Sequence, residues 1–280
     1  ARPGVEEGQA MGSPEPLRRE GDSDDPGSKR AKVVHPDRQE GLKLVGERAP
    51  PHAAWVYPLA DGRRRSFAGH LPGALPKDLS DKYFGVIMDG TPWIRGSRSS
   101  TAWLVKPPCS CRYQYATWTL PLTVPGVHAS GWPDWLDEIL GHVMPLCGIG
   151  PEGWPNSCNV NHYADGWEGV GWHADDEPLF QGAHQDCTIV SLSFGQARLF
   201  ELCPNDAWDA ADYSPETSGE VAISLGNGDL CTMEGMTQKY YQHAALGSPE
   251  EGLEGRINLT FRWVVQHTAE CSLGDRGAGR

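Results

Sequence analysis

One stretch, Arg256-Ile-Asn-Leu-Thr-Phe-Arg262, constrains this chain more than any other. Polar and apolar residues alternate through it, so in a strand Arg256, Asn258, Thr260 and Arg262 share one face while Ile257, Leu259 and Phe261 pack on the other. Two guanidinium groups inside an apolar strand are expensive to bury unless an anion neutralises them. A dicarboxylate would do so.

Strand-like runs at close spacing, separated by Gly, Pro, Asn and Asp turns, fill the rest of the chain after Trp55: 101–105, 158–163, 188–194, 198–202, 220–225, 229–233 and 256–265. The 34 Gly and 23 Pro make about a fifth of the 280 residues, which favours a turn-rich β or mixed fold over a helical bundle. The best helix reading is Pro133–Val143, where Trp135, Leu136, Ile139, Leu140 and Val143 form one stripe behind Pro133. The expected class is mainly β with flanking helices (α+β).

No stretch approaches the ~18 consecutive apolar residues of a membrane helix, and the first residues carry no apolar signal core. A soluble intracellular protein is expected, and a start at Ala1 suits a fragment. The eight cysteines include no C-x-x-C pair, so free thiols are expected, with Cys109-Ser-Cys111 structural. Residues 1–50 lack aromatics and are rich in Gly, Pro, Ser and charge, which reads as a disordered tail. Within it Arg18-Arg19 and Lys29-Arg30-Ala31-Lys32 loosely resemble a bipartite nuclear import signal.

The net charge of −13 argues against a protein that coats nucleic acid nonspecifically. Its distribution is uneven. Residues 61–118 carry nine Lys/Arg, among them Arg63, Arg64 and Arg65, against four acids; residues 119–255 carry only Arg198 and Lys239 against 21 acids. A basic flank beside an acidic body suits a polyanion gripped along one edge.

His173 and Asp175 stand two apart, so in an extended segment both leave the same face and can address one cation. His243, 68 residues on, completes two histidines and a carboxylate, the facial triad that leaves three positions open on non-haem Fe(II).

Together with Asn161-His-Tyr163, His173-Ala-Asp-Asp-Glu177, Ser191-Leu-Ser-Phe-Gly195 and Met233-Glu-Gly-Met-Thr-Gln238, these residues resemble the AlkB family of Fe(II)/2-oxoglutarate-dependent dioxygenases from about residue 156 to 264, with weaker similarity back through Tyr113-Gln-Tyr115. The likeness is greatest to the eukaryotic homologues that repair alkylated DNA and RNA. It implies a double-stranded β-helix, or jelly-roll, at 119–268, an N-terminal support and nucleotide-recognition lid at 51–118, and a flexible tail at 269–280. It implies Fe(II) on His173, Asp175 and His243; the distal carboxylate of 2-oxoglutarate on Arg256 with Tyr163; and its other carboxylate on Arg262 with Asn161, beside Asn258 and Thr260. Tyr113, Tyr115, Asp176 and Glu177 would face the substrate base, and Arg63–Arg65 its phosphates.

The implied reaction consumes 2-oxoglutarate and O2, releases succinate, CO2 and formaldehyde, and demethylates bases of the 1-methyladenine or 3-methylcytosine type. The implied partner is single-stranded or damaged DNA or RNA, met by a monomer in the nucleus and/or cytoplasm. Three alternatives stay open: an AlkB-like oxygenase acting on a protein, lipid or small molecule; a non-catalytic nucleic-acid-binding relative; and a zinc hydrolase on the same triad. The Lys106-Pro-Pro-Cys-Ser-Cys111 stretch departs from the family pattern.

Overall fold

Eight strands from Ser157 onward divide four and four between two sheets, and that division defines the architecture. The computed structural model describes residues 41–96, 98–115, 118–119, 132–207, 219–248 and 252–274. In chain order the strands are β1 (Val56–Asp61), β2 (Ser66–Leu71), β3 (Ile94–Arg95), β4 (Ser100–Val105), β5 (Gln114–Tyr115), β6 (Trp118–Thr119), β7 (Ser157–Tyr163), β8 (Val170–His173), β9 (Cys187–Gly195), β10 (Arg198–Pro204), β11 (Val221–Leu225), β12 (Leu230–Gly235), β13 (Tyr241–Ala245) and β14 (Arg256–Arg262). The helices are α1 (Val45–Arg48), α2 (Lys77–Gly90), α3 (Asp134–Val143) and α4 (Thr237–Tyr240). The larger sheet runs β1-β2-β12-β9-β14-β7-β4-β3 and the smaller β11-β10-β13-β8. Strands β7 to β14 supply β12-β9-β14-β7 to one sheet and β11-β10-β13-β8 to the other, which is the expected jelly-roll.

Strand β14 sits between β9 and β7 with every residue buried, and it divides its two faces as its alternation predicts. Ile257, Leu259 and Phe261 point outward into a core with Tyr83 and Ile87 of α2 and with Trp135, Leu136, Ile139, Leu140 and Val143 of α3. Helix α3 begins after Pro133 with Asp134 and Asp137 in its first turn, where acids complement the helix dipole. Burying each of these large apolar side chains contributes roughly 1.5–3 kcal/mol, which clamps the helices onto the sheet. The other face of β14 turns toward the space between the sheets, which Ile189, Leu202, Ile223, Met233 and Tyr241 close at one end.

Three boundaries differ from expectation. Residues 41–50 are not tail: Val45 is fully buried and its N–H donates to Glu234 Oε2 at 2.7 Å, because a buried carboxylate on the outer face of β12 caps the start of α1. Residues 269–274 are not free either, since Cys271 is buried against Cys109, Cys111 and Val264. Strands β1, β2 and β4 extend the large sheet, and the described residues fall in one unit with no division at 118. The tail and import-signal expectations for residues 1–40 lie outside the described residues.

Candidate active site

His173 ends β8 and His243 faces it across the β8–β13 pair, with ring centroids 4.2 Å apart. Asp175, two residues on, is fixed inward by its own N–H, which donates to Gln238 Oε1 at 2.8 Å. His173 Nε2 lies 3.8 Å from Asp175 Oδ1, and His243 Nε2 lies 3.9 Å from Asp175 Oδ2. All three ligand atoms fall within 4.8 Å of one another. Asp175 Oδ1 is buried and has no hydrogen-bond partner, the condition of an atom whose partner is a cation. These residues fit a divalent metal.

Their protonation suits that task. His173 Nδ1 is 2.8 Å from the Gly171 carbonyl oxygen, which can only accept, so Nδ1 donates there and Nε2 is the ring nitrogen turned to Asp175. Burial, aided by His173, pushes His243 down to about 3 and keeps it neutral. Burial alone would raise Asp175, but the Arg262 guanidinium and the two imidazoles hold it below the usual carboxylate range. A neutral His243 imidazole and an ionised Asp175 carboxylate result.

Arg262 and Arg256 stand at opposite ends of the inward face of β14. Arg262 Nη2 sits 2.6 Å from Asp175 Oδ2, and its guanidinium lies 5.0 Å from the Phe180 ring centre. Arg256 Nη2 donates to Ser193 Oγ at 2.9 Å, and its guanidinium packs 5.6 Å from the Tyr163 ring. No described carboxylate offsets Arg256, and burial pulls its pKa below the arginine range. Nε of each arginine is buried without a hydrogen-bond partner. A dicarboxylate would complete both.

The remaining cosubstrate candidates split. Asn161 Oδ1 accepts from Thr101 Oγ1 at 3.0 Å, which leaves the NH2 end available to a carboxylate. Asn258 Nδ2 donates to Ser191 Oγ at 2.6 Å and its Oδ1 accepts from Thr260 Oγ1 at 2.9 Å. Asn258 and Thr260 therefore bind each other and β9; they line the cavity as a closed ladder. That cavity, about 620 Å³, also takes in Asn161, Tyr163, Tyr113 and Arg98, with Ile189, Phe200, Met233 and Ala245 on its apolar wall.

The substrate candidates fare less uniformly. Tyr113 reaches the cavity but is packed between Trp103 and Phe180, with centroids at 5.1 and 6.5 Å, and its OH donates to Glu177 Oε1. Glu177 is buried under that ring, and burial raises it to about 7; Asp176 is exposed, and neither lines the cavity. The Tyr115 side chain lies outside the described residues. The basic trio needs a correction. Arg64 pairs with Asp61 at 2.7 Å and Asp206 at 2.6 Å, and Arg65 with Asp186 at 2.6 Å, because the acidic barrel neutralises the β1–β2 turn. Arg63 alone of the three is exposed.

Ser193, Gln238 and Phe200 are functional neighbours that the sequence reading passed over. Ser193 had a signal, since it alternates with Ser191 in a quoted motif. Gln238, which reaches back from α4, likewise closes a quoted motif, whereas Phe200, whose ring centre lies 5.4 Å from His243, had no signal beyond strand alternation.

Comparison with known proteins agrees with this geometry. The family model for the 2OG-Fe(II) oxygenase superfamily matches residues 73–262. The alpha-ketoglutarate-dependent dioxygenase alkB homolog 3 of Rattus norvegicus is 34% identical over 163 residues, 52% of this chain and 47% of that protein. DNA oxidative demethylase ALKBH2 of Arabidopsis thaliana is 28% identical over 210 residues, 68% of this chain and 64% of that protein. An uncharacterized protein, R406 of Acanthamoeba polyphaga mimivirus, is 30% identical over 165 residues, 59% of this chain and 72% of that protein. The match thus spans about half the length of the rat relative. On the matched segment and the site it contains, the chain belongs to the 2OG-Fe(II) oxygenase superfamily and, within it, to the AlkB family.

Proposed function

We propose that this protein oxidatively demethylates N-alkylated bases, of the 1-methyladenine or 3-methylcytosine type, in single-stranded or damaged DNA or RNA. The observation that carries the reading is Arg256, a buried guanidinium with no carboxylate partner among the described residues, set on the same strand face as Arg262 and opening into the cavity of the His173–Asp175–His243 cluster. Only a bound anion makes that arrangement inexpensive.

Fe(II), 2-oxoglutarate and O2 together supply the oxidising chemistry when bound, with succinate, CO2 and formaldehyde as products. His173 Nε2, Asp175 Oδ1 and His243 Nε2 hold the metal. Arg256 Nε and the Tyr163 hydroxyl, kept protonated by burial, hold the distal carboxylate of the cosubstrate. Arg262 Nε and the NH2 of Asn161 hold the carboxylate next to the keto group, while Arg262 Nη2 keeps Asp175 ionised and aimed. Bidentate pairing of a planar fork with a carboxylate orients the cosubstrate as a lysine could not. Ile189, Phe200 and Met233 keep water from the opposite wall.

A methyl group on the Watson–Crick edge reaches this enclosed site only if the base leaves its stack, which favours single-stranded or damaged nucleic acid. Tyr113, braced by Glu177, forms the wall such a base would meet. Arg98 at the cavity, Arg63 on the β1–β2 turn and Arg112 beside Tyr113 are among the exposed described cations that can meet phosphates. The setting this fits is intracellular, nuclear and/or cytoplasmic. The test is formaldehyde release from a panel of N-methylated DNA and RNA oligonucleotides with Fe(II) and 2-oxoglutarate. Release that follows one methylated base supports the proposal; 2-oxoglutarate turnover stimulated by a protein or small molecule, and by no oligonucleotide, overturns it.

A further inference from the structure

A second metal-ligating cluster lies outside the cavity, where the chain before β5 meets the chain after β14. Cys109, Cys111 and Cys271 all turn their sulfurs toward His267 Nδ1, at 3.6, 3.4 and 3.5 Å. Cys271 Sγ and Cys109 Sγ are 3.9 Å apart, and all four ligand atoms lie within 4.8 Å of one another. The three thiols are buried, the imidazole partly so.

Hydrogen bonding does not account for this arrangement. A neutral imidazole nitrogen accepts one hydrogen bond or donates one, so a single Nδ1 cannot satisfy three thiols at once. Nor does a disulfide, because a bonded pair would stand about 2.0 Å apart and all three cysteines are free. A tetrahedral zinc, with Zn–S about 2.3 Å and Zn–N about 2.0 Å, requires S···N edges of about 3.5 Å and S···S edges of about 3.8 Å. The observed spacings match those edges. The Ser110 N–H also donates to Cys271 Sγ at 3.3 Å, a contact that favours a thiolate.

We propose that Cys109, Cys111, His267 and Cys271 bind one structural Zn²⁺. Loading converts three thiols to thiolates, releases three protons and breaks no other bond. Four protein ligands leave no open position, so the ion is structural, and a soft sulfur-rich set selects zinc over the Fe(II) of the two-histidine, one-carboxylate centre.

The site ties together segments 156 residues apart, Cys111 and His267. Cys111 is followed two residues later by Tyr113, and its carbonyl accepts from Trp103 Nε1 at 3.0 Å. His267 follows β14, which ends at Arg262, and Tyr113 OH lies 3.5 Å from Arg262 Nη1. The zinc therefore fixes the tyrosine wall of the cavity against the arginine that holds Asp175. Cross-linking so long a loop removes entropy from the unfolded chain as well.

The experiment is metal analysis of the full chain after EDTA has stripped the iron centre, followed by exchange with Co²⁺. The expected result is one zinc per chain, retained in an Asp175→Ala variant and lost in Cys111→Ser and Cys271→Ser, with sulfur-to-cobalt charge-transfer bands in the parent protein. Should the serine variants fail to fold, the cobalt spectrum of the parent decides, since the iron site holds no sulfur. A metal-free parent whose cobalt form lacks those bands, or a mass two hydrogens light from a Cys109–Cys271 disulfide, overturns the proposal.

Discussion

Arg262 Nη2 grips Asp175 Oδ2 at 2.6 Å while Asp175 Oδ1, on the same carboxylate, stays buried and unpaired. One oxygen is thereby held for orientation and the other left for a metal. The arginine fork is what allows the division, because Nε remains unpaired for a second anion. Arg262→Lys keeps the charge but loses the fork. We expect the Kd for 2-oxoglutarate, measured by anaerobic titration, to rise about 30- to 150-fold, equivalent to about 2–3 kcal/mol for lost charge-assisted hydrogen bonds. Unchanged 2-oxoglutarate affinity would falsify the two-carboxylate assignment.

Removing the positive charge altogether is a different experiment. Arg262→Met strands the buried Asp175 carboxylate, and breaking a buried pair from one side costs roughly 3–5 kcal/mol. Denaturant unfolding of the metal-free protein should show a loss of this size, larger than for Arg262→Lys. Equal stability of the two variants would mean that Arg262 does not sustain the carboxylate.

Glu234 gives a pH signature well away from the metal cluster. Its carboxylate is buried, accepts from Val45 N–H at 2.7 Å, Tyr57 OH at 3.0 Å and Thr232 Oγ1 at 2.6 Å, and is pushed above the ordinary glutamate value of 4.5 by burial. A raised folded value means that the stabilising contribution is complete below the unfolded value and is lost as pH rises through the folded one. The stability of the parent relative to Glu234→Gln should therefore fall as pH increases from about 4.5. Urea unfolding at a series of pH values checks the sign; a difference that grows with pH contradicts it.

How the chain meets a polyanion follows from which cations are already paired. Arg64 and Arg65 are engaged by Asp61, Asp206 and Asp186, so replacing Arg63, Arg64 and Arg65 together with Ala removes about one phosphate contact, not three. The slope of log affinity against log salt should then shrink by about 0.7 on a single-stranded oligonucleotide, and Arg98→Ala should shrink it by a similar amount. Fluorescence anisotropy across a salt series measures both. A threefold larger change would show that the aspartates release their arginines on binding.

Local pattern made some of this legible. The two faces of β14, the apolar stripe of α3 and the shared face of His173 and Asp175 depend on periodicity, which a sequence displays directly. What periodicity cannot display is who lies opposite. Arg64 looks like a free cation until β10 delivers its neighbour Asp206, and Glu177 looks exposed beside Asp176 until Tyr113 covers it. Cys109-Ser-Cys111 lacks the spacing of a zinc ribbon, and its partners stand beyond residue 262, joined only by the closure of the barrel. Long-range pairing hid these features.

In the proposed enzyme His173, Asp175 and His243 form one iron centre whose cosubstrate is held by Arg256 and Arg262. Anaerobic addition of Fe(II) to the protein with 2-oxoglutarate, followed in the visible region, tests it directly, because a 2-oxo acid chelated to Fe(II) absorbs there and neither component does so alone. The expected result is a band that saturates at one iron per chain, disappears in Asp175→Ala and His243→Ala, and needs far more 2-oxoglutarate in Arg256→Lys and Arg262→Lys. No band in the parent, or a band of undiminished strength in Asp175→Ala, would contradict it.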